Sequence, residues 1–401
     1  MSEIRPPAPA TPWRLLALLM AMTALGPVAL NILMPAVPGL ALLLITDAGT
    51  VQLTVSLFLL SLAAGQLLMG PLSDRFGRRP VALAGLALAS AASLAAIFAA
   101  SIDALIAVRI VQAAGAATGV VIGRAIIRDL FERDRAAAMI GLVTTAMVVA
   151  PMVSPLIGGV LDTAFGWESI FLFVTLLNTG VLIWAAMTLP ETRAALGTGG
   201  TQSQLLHEWR ALFTSARFHG YVLCAALGTA PFFIFLGGGP HVVVTMMDRT
   251  SAEYGMWFAL TSLGYMSGNF TVVRLSQRFG IDAMIVAGLA IEVVGALIVT
   301  LLILTVPDGG PALVFVPQVL ISYGNGVLLP NAIAGAVSVR PHAAGAASGI
   351  TGFVQMTVGA IATQFISHVL AGAATPLPIS LAMIAASAAA MVAFFTLVKA
   401  R

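Results

Sequence analysis

Of the 401 residues, 59% are hydrophobic and only 9% are charged, against roughly 25% charged in a soluble domain; with a mean hydropathy of +1.02, the chain cannot build a water-exposed surface. The net charge of +3 does not point to a nucleic-acid partner, because the basic residues stand singly or in short clusters between apolar runs instead of on one face. The single cysteine, Cys224, excludes an intramolecular disulfide and a metal cluster built on thiolates.

Along the chain, Met1 to Pro12 form a short polar, proline-rich tail, expected to be cytoplasmic, and the first apolar run has no small-residue cleavage site after it. Apolar runs lie near 13–38, 51–71, 80–100, 104–124, 137–160, 168–189, 219–241, 253–273, 281–306, 311–335, 343–367 and 377–398. Each is about the 20 residues that a helix needs to cross a bilayer. The pattern predicts an all-α polytopic membrane protein of twelve transmembrane helices with both termini on one side.

With the termini inside, the inner segments collect Arg5, Arg14, Arg75, Arg78, Arg79, Arg128, Arg133, Arg135, Arg193, Arg210, Arg217, Arg274, Arg278, Arg340, Lys399 and Arg401, and the outer loops only Arg249. The outer loops hold the acids Asp47, Asp103, Asp162, Glu168, Asp248, Glu253 and Asp308. A cytoplasmic excess of Lys and Arg sets orientation, so both termini are expected in the cytoplasm of a bacterial cell, with the chain in its inner membrane.

The run Leu72-Ser73-Asp74-Arg75-Phe76-Gly77 after span 2 returns as Leu275-Ser276-Gln277-Arg278-Phe279-Gly280 after span 8, and the same offset carries span 1 onto span 7 and span 4 onto span 10. Two pseudo-symmetric six-helix halves, 13–190 and 219–401, are therefore expected. The cytoplasmic linker 191–218 joins them, and its Gly197-Thr198-Gly199-Gly200-Thr201 stretch reads as flexible.

Three motifs carry chemistry. In the loop Gly70-Pro71-Leu72-Ser73-Asp74-Arg75-Phe76-Gly77-Arg78-Arg79-Pro80, glycines allow close helix approach and a tight turn, Asp74 suits a helix N-terminus or a cation, and the arginines suit anionic headgroups. Arg109, in the span-4 run Leu105-Ile106-Ala107-Val108-Arg109-Ile110-Val111-Gln112, lies roughly 7 to 9 Å from the outer end of its helix; an intramembrane arginine needs a cavity, a partner or a route to the interface. In span 5, Ala150-Pro151-Met152-Val153-Ser154-Pro155-Leu156-Ile157-Gly158-Gly159 combines prolines that free backbone carbonyls with glycines that permit tight helix contact, as a gate requires. His241 and His368, near outer span ends, are titratable or structural groups. No phosphate-binding loop, metal-ligand cluster or Ser/His/Asp arrangement occurs in a loop long enough to hold one. An enzyme, a cofactor and a metal site are not expected.

The Gly70–Pro80 stretch closely resembles the signature of the major facilitator superfamily, and the span-4 and span-5 runs are similar to its further motifs, the latter to the one that marks antiporters. Arg124-Ala125-Ile126-Ile127-Arg128-Asp129-Leu130-Phe131, Leu189-Pro190-Glu191-Thr192 and Pro341-His342-Ala343-Ala344-Gly345-Ala346-Ala347-Ser348 resemble the bicyclomycin- and chloramphenicol-resistance branch of twelve-span drug:proton antiporters. The resemblance implies efflux of small amphipathic molecules by a monomer in the lipid bilayer, with protons as coupling ion. It also implies a conformational latch at Gly70, Asp74, Arg75, Gly77, Arg78 and Arg79, a gate at Pro151, Pro155, Gly158 and Gly159, and a pocket between spans 1, 4, 7 and 10 with Asn31, Gln112, Phe232, Phe233, Phe235, Tyr323 and Asn325 as candidates. Export of an endogenous metabolite is the alternative. One position departs from the pattern: Asn31 stands in Leu25-Gly26-Pro27-Val28-Ala29-Leu30-Asn31 where the branch carries an acid, and asparagine exchanges no proton. Glu292, in span 9, is then the expected proton carrier, or the protein is a facilitator without proton coupling.

Overall fold

The structure, a computed structural model, describes residues 12–131, 133–192, 212–306, 309–340 and 343–399. The tail up to residue 11, the stretch 193–211 and Arg5, Arg193, Arg210, Asp308, Pro341, His342 and Arg401 lie outside these residues. Twelve long helices make up the rest: α1 Pro12–Asn31, α2 Ala48–Phe76, α3 Arg78–Ile97, α4 Ile102–Leu130, α5 Arg133–Phe165, α6 Trp167–Thr188, α7 Ala216–Pro240, α8 Ser251–Phe279, α9 Ile281–Thr305, α10 Ala312–Ser338, α11 Ala344–Leu370 and α12 Leu377–Ala393. After Asn31, α1 passes through a 3-10 turn at Met34–Ala36 into a short helix, Val37–Leu43, and α7 runs into a π-helical turn at His241–Met246.

Ten of these helices are long and apolar enough to cross a membrane. Within α5 the described apolar stretch is Val149–Phe165. This helix packs on α8, so both helices turn a face toward protein.

The expected loop Gly70–Pro80 is mostly helix. α2 runs on to Phe76 and Gly77 alone breaks the chain, at φ 102°, before α3 begins at Arg78. Its repeat behaves alike: α8 ends at Phe279, and Gly280 takes φ 79° before α9. A positive φ strains any residue with a Cβ, which is why glycine holds both corners. At the other end of the bundle, Asp47, Ser101 and Thr250 accept the amides of Thr50, Ala104 and Glu253 and so start α2, α4 and α8.

Packing repeats as the sequence does. Within the first half α1 packs on α4 and α5, α2 on α4, and α3 on α4 and α6; within the second, α7 packs on α10 and α11, α8 on α10, and α9 on α10 and α12. The halves meet through α5 with α8 and α2 with α11, pairs that the pseudo-twofold exchanges. The buried core is divided unevenly. One cluster joins Val51, Phe58 and Leu105 of the first half to Phe235, Phe258 and Ile366 of the second. Toward the arginine-rich end the halves have separate clusters, around Leu19, Leu86 and Ile126 in one and Phe218, Leu289 and Phe394 in the other. The molecule is thus closed at the acidic end, while at the arginine-rich end each half keeps a core of its own.

Candidate functional site

The signature arginines organise the arginine-rich end of the first half. Arg78 pairs with Asp74 of α2, reaches Asp129 Oδ2 at the end of α4 at 3.1 Å, and donates to Ser73 Oγ at 2.6 Å. Glu191, which follows α6, accepts the amides of Arg78 and Arg79 at 2.9 and 3.1 Å, so a carboxylate caps the N-terminus of α3. Arg79 donates to the Ala186 carbonyl at 2.8 Å, and Arg75 lies over the Phe76 ring. A Cβ on Gly77 would stand 2.7 Å from Glu191 Oε2. Gly70 has only Val121 near it. The Asp74 side chain remains 55% exposed. Glu191, assigned to the linker by sequence, is fixed to the first half, and α7 starts at Ala216, inside that expected linker.

At the acidic end, small residues let backbones of opposite halves touch. A Cβ on Gly159 would meet the backbone of Ser251 and Ala252 on α8, and one on Gly255 the backbone of Pro155 and Leu156. A Cβ on Gly158 would strike the Ile32 carbonyl in its own half. Pro151 and Pro155 lie inside α5. Hydrogen bonds cross the halves at this end: Ser56 to Gln364 Oε1 at 3.0 Å, Gln364 Nε2 to the Gly49 carbonyl at 2.8 Å, Ser367 to the Ala48 carbonyl at 3.3 Å, and Ser251 to the Pro35 carbonyl at 3.0 Å. Gln364 takes part in two of them. At about 1 kcal/mol for each of the two bonds lost, Gln364→Ala should shift the balance toward opening of this end by about thirtyfold. Thiol labelling of a cysteine at position 48 checks this: labelling at the wild-type rate would contradict it.

Between the gates, Arg109 is 1% exposed and wedged between α1, α2 and α4. Its Nη1 donates to the Ala29 carbonyl at 2.9 Å and Gln112 Oε1 at 2.6 Å, its Nε to the Thr54 carbonyl at 3.3 Å, and its guanidinium stacks 4.1 Å over the Phe58 ring. Gln112 passes the chain on to Ser93, which also takes the amide of Asn178. Asn31 donates to the Pro27 carbonyl at 2.8 Å.

In the second half, Glu292 is held by Ser387 at 2.9 Å and Asn325 at 3.4 Å, and Asn325 also donates to the Gly228 carbonyl at 3.0 Å. These bonds tie α9, α10, α12 and α7 together; Arg109 and Gln112 belong to the other half. The aromatic candidates divide. Phe235 was expected in the pocket, but it is fully buried against Phe258 and Phe315, because its stretch of α7 faces α8 and α10. Phe233 is 3% exposed and lies over Gly359, where a Cβ would come within 2.7 Å of the ring. Phe232 stays partly open, and Tyr323 bonds to Thr271 at 2.9 Å. His241 lies in the π-helical turn after α7 and His368 is exposed on α11.

Residues 19–363 match the Major Facilitator Superfamily. The chain belongs to this family. It is 31% identical over 345 residues to multidrug resistance protein D of Escherichia coli (strain K12), covering 85% of each chain. It is also 31% identical over 278 residues to a chloramphenicol resistance protein of Pseudomonas aeruginosa, covering 69% of this chain and 65% of that one, and 26% identical over 357 residues to a bicyclomycin resistance protein homolog of Haemophilus influenzae, covering 89% of each. Among solved structures it superposes on a bacterial homolog of the human lysosomal transporter Spinster with a TM-score of 0.76 at 15% identity over 96% of both chains.

The resemblance read from the motifs is therefore correct at the level of family and branch. As a major facilitator protein the chain is a multi-pass membrane transporter of small molecules and not an enzyme. Sequence reasoning missed Gln364, Ser93 and Asn178 and gave Glu191 no role. Glu191 had a signal, since its Leu189-Pro190-Glu191-Thr192 run stood out; a lone glutamine in α11 had none.

Proposed function

We propose that this chain exports small amphipathic organic molecules by alternating access, as a monomer in a bacterial inner membrane with the arginine-rich end and both termini in the cytoplasm. One observation carries the reading: among the described residues the hydrogen bonds between the halves lie toward the acidic end, where α2 packs on α11 and α5 on α8, while the cores separate at the other. Rocking about those pairs would turn one opening into the other. The names of the relatives support drug efflux. In this reading Asp74 and its arginines latch the halves when the arginine-rich end closes, Pro151, Pro155, Gly158 and Gly159 seal the other end, and Asn31, Arg109, Gln112, Phe232, Phe233, Tyr323 and Asn325 border the path.

Proton antiport would use Glu292, the acid deepest within a helix. A second reading, export without proton exchange, is favoured by its placement: Glu292 is bonded among α9, α10 and α12, and Asn31 carries no proton. Drug flux in proteoliposomes under an imposed pH gradient separates the two. Antiport requires gradient-driven flux that Glu292→Gln abolishes while downhill exchange survives; the facilitator reading requires the same flux with and without the gradient, in wild type and variant. Expression in an efflux-deficient bacterium with a panel of antibiotics and dyes tests export itself: the expected result is raised resistance, and unchanged sensitivity with the protein in the membrane would shift the assignment to an endogenous metabolite.

A further inference from the structure

Of five buried polar atoms without a hydrogen-bond partner among the described residues, Tyr254 Oη and Gln318 Oε1 lie in the second half and three lie in the first: Asn31 Oδ1 on α1, Gln52 Nε2 on α2 and Arg109 Nη2 on α4. All three residues are at most 2% exposed. Arg109 bonds to the Ala29 and Thr54 carbonyls, which belong to the same turns of α1 and α2 as Asn31 and Gln52. Every partner that Arg109 has is neutral, two carbonyls, an amide and an aromatic ring. The acids of the described residues lie at helix ends or in connections, apart from Glu292, which is bonded to Ser387 and Asn325 in the other half. A buried cation without a counterion is strongly unfavourable, and nothing among the described residues supplies that counterion.

Resting on the export reading, we propose that the transported molecule supplies the missing charge: the substrate class is an organic anion, a carboxylate or sulfonate on an apolar body, with Arg109 Nη2 and Gln52 Nε2 as donors to it and Asn31 Oδ1 accepting an N–H or O–H beside the acid group. Both are N–H donors that oxyanions accept, and the guanidinium adds charge to its bond. The driving force follows from the charge. A cell interior negative by about 100 mV expels a monovalent anion with roughly a fifty-fold concentration bias, so export needs no titrating group in the path. The site also touches the gate, since α2 gives its Thr54 carbonyl to Arg109 and its Ser56 hydroxyl to Gln364 across the halves.

The test uses the full-length protein in liposomes loaded with 1-naphthalenesulfonate, with neutral 1-naphthalenesulfonamide, or with naphthyltrimethylammonium, and a potassium diffusion potential set by valinomycin. The sulfonate should leave wild-type vesicles at least tenfold faster than protein-free ones when the interior is negative, stop when the potential is reversed, and gain nothing from a pH gradient. Arg109→Gln should lower that flux at least tenfold without lowering the Tm of the unliganded protein, because it removes an uncompensated charge; Arg109→Lys should restore part of it. Asn31→Asp, which places a carboxylate in the same shell, should suppress the sulfonate and admit the ammonium. A fall in Tm with Arg109→Gln, with sulfonate flux retained, would make the arginine a structural pin and overturn the assignment. Export of the ammonium or the sulfonamide by wild type, without the sulfonate, would overturn it too and leave the export reading intact. Failure of all three probes to move in folded, inserted protein would count against both.

Discussion

Gly159→Ala should leave each half folded yet prevent the acidic end from closing, and lower export at least tenfold. The added methyl would stand 2.8 Å from the carbonyl carbon of Ser251 and 2.9 Å from Ala252 Cα. These are backbone atoms of α8 that cannot rotate away, so the helix itself must move. Because α8 belongs to the other half, relief comes from separating the halves. Overpacking of this kind costs about 1–3 kcal/mol, which moves a two-state balance by about 5- to 150-fold. Gly158→Ala is the control with the opposite signature. Its methyl strikes the Ile32 carbonyl inside the same half, so it should lower the Tm of the protein. Export per inserted protein, Tm, and labelling of a cysteine at position 251 check both variants. Wild-type export and labelling in Gly159→Ala would remove the gate role from this motif.

Arg78→Met should cost both stability and export. Arg78 is the cation shared by Asp74 and Asp129, so its loss removes the charge that both carboxylates pair with. Breaking a buried pair costs about 3–5 kcal/mol; with Asp74 55% exposed and screened by water, about 1–3 kcal/mol is expected. Asp74→Asn should behave differently. Its carboxylate is half in solvent and, among the described residues, pairs with Arg78 of its own half, so the state seen in the structure loses little, and the Tm should hold. If the latch forms when the arginine-rich end closes, export in vesicles should nevertheless drop sharply. Unimpaired turnover in Asp74→Asn would reduce the signature to a topology signal.

The order of the helices and the repeat were legible because each rests on a local pattern: an apolar run of membrane length, or a glycine that alone tolerates a positive φ. The Gly77 and Gly280 corners are the clearest case, since one short sequence echo placed both. Helix ends were less legible. Leu72 to Phe76 read as a loop for their charges, yet charged residues at the membrane surface are no obstacle to helix, and α2 keeps its hydrogen bonds through them. The side on which a residue points was least legible. Phe232, Phe233 and Phe235 are equivalent in sequence, and only the neighbours of α7 decide that Phe235 is core. Gln364 shows the same limit, because its partners lie some three hundred residues away.

The uncompensated guanidinium of Arg109 also bears on electrical behaviour. Water admitted from one end of the bundle brings that end's potential to the site, so each rocking step carries the charge of Arg109 across part of the membrane field. With an anion bound, the moving unit is neutral and its passage is indifferent to voltage. Without one, the return step moves a positive charge inward and gains up to about 2.3 kcal/mol per 100 mV. Resetting of the empty carrier then becomes the voltage-sensitive half of the cycle, visible as a transient current on a supported membrane before any net transport has occurred.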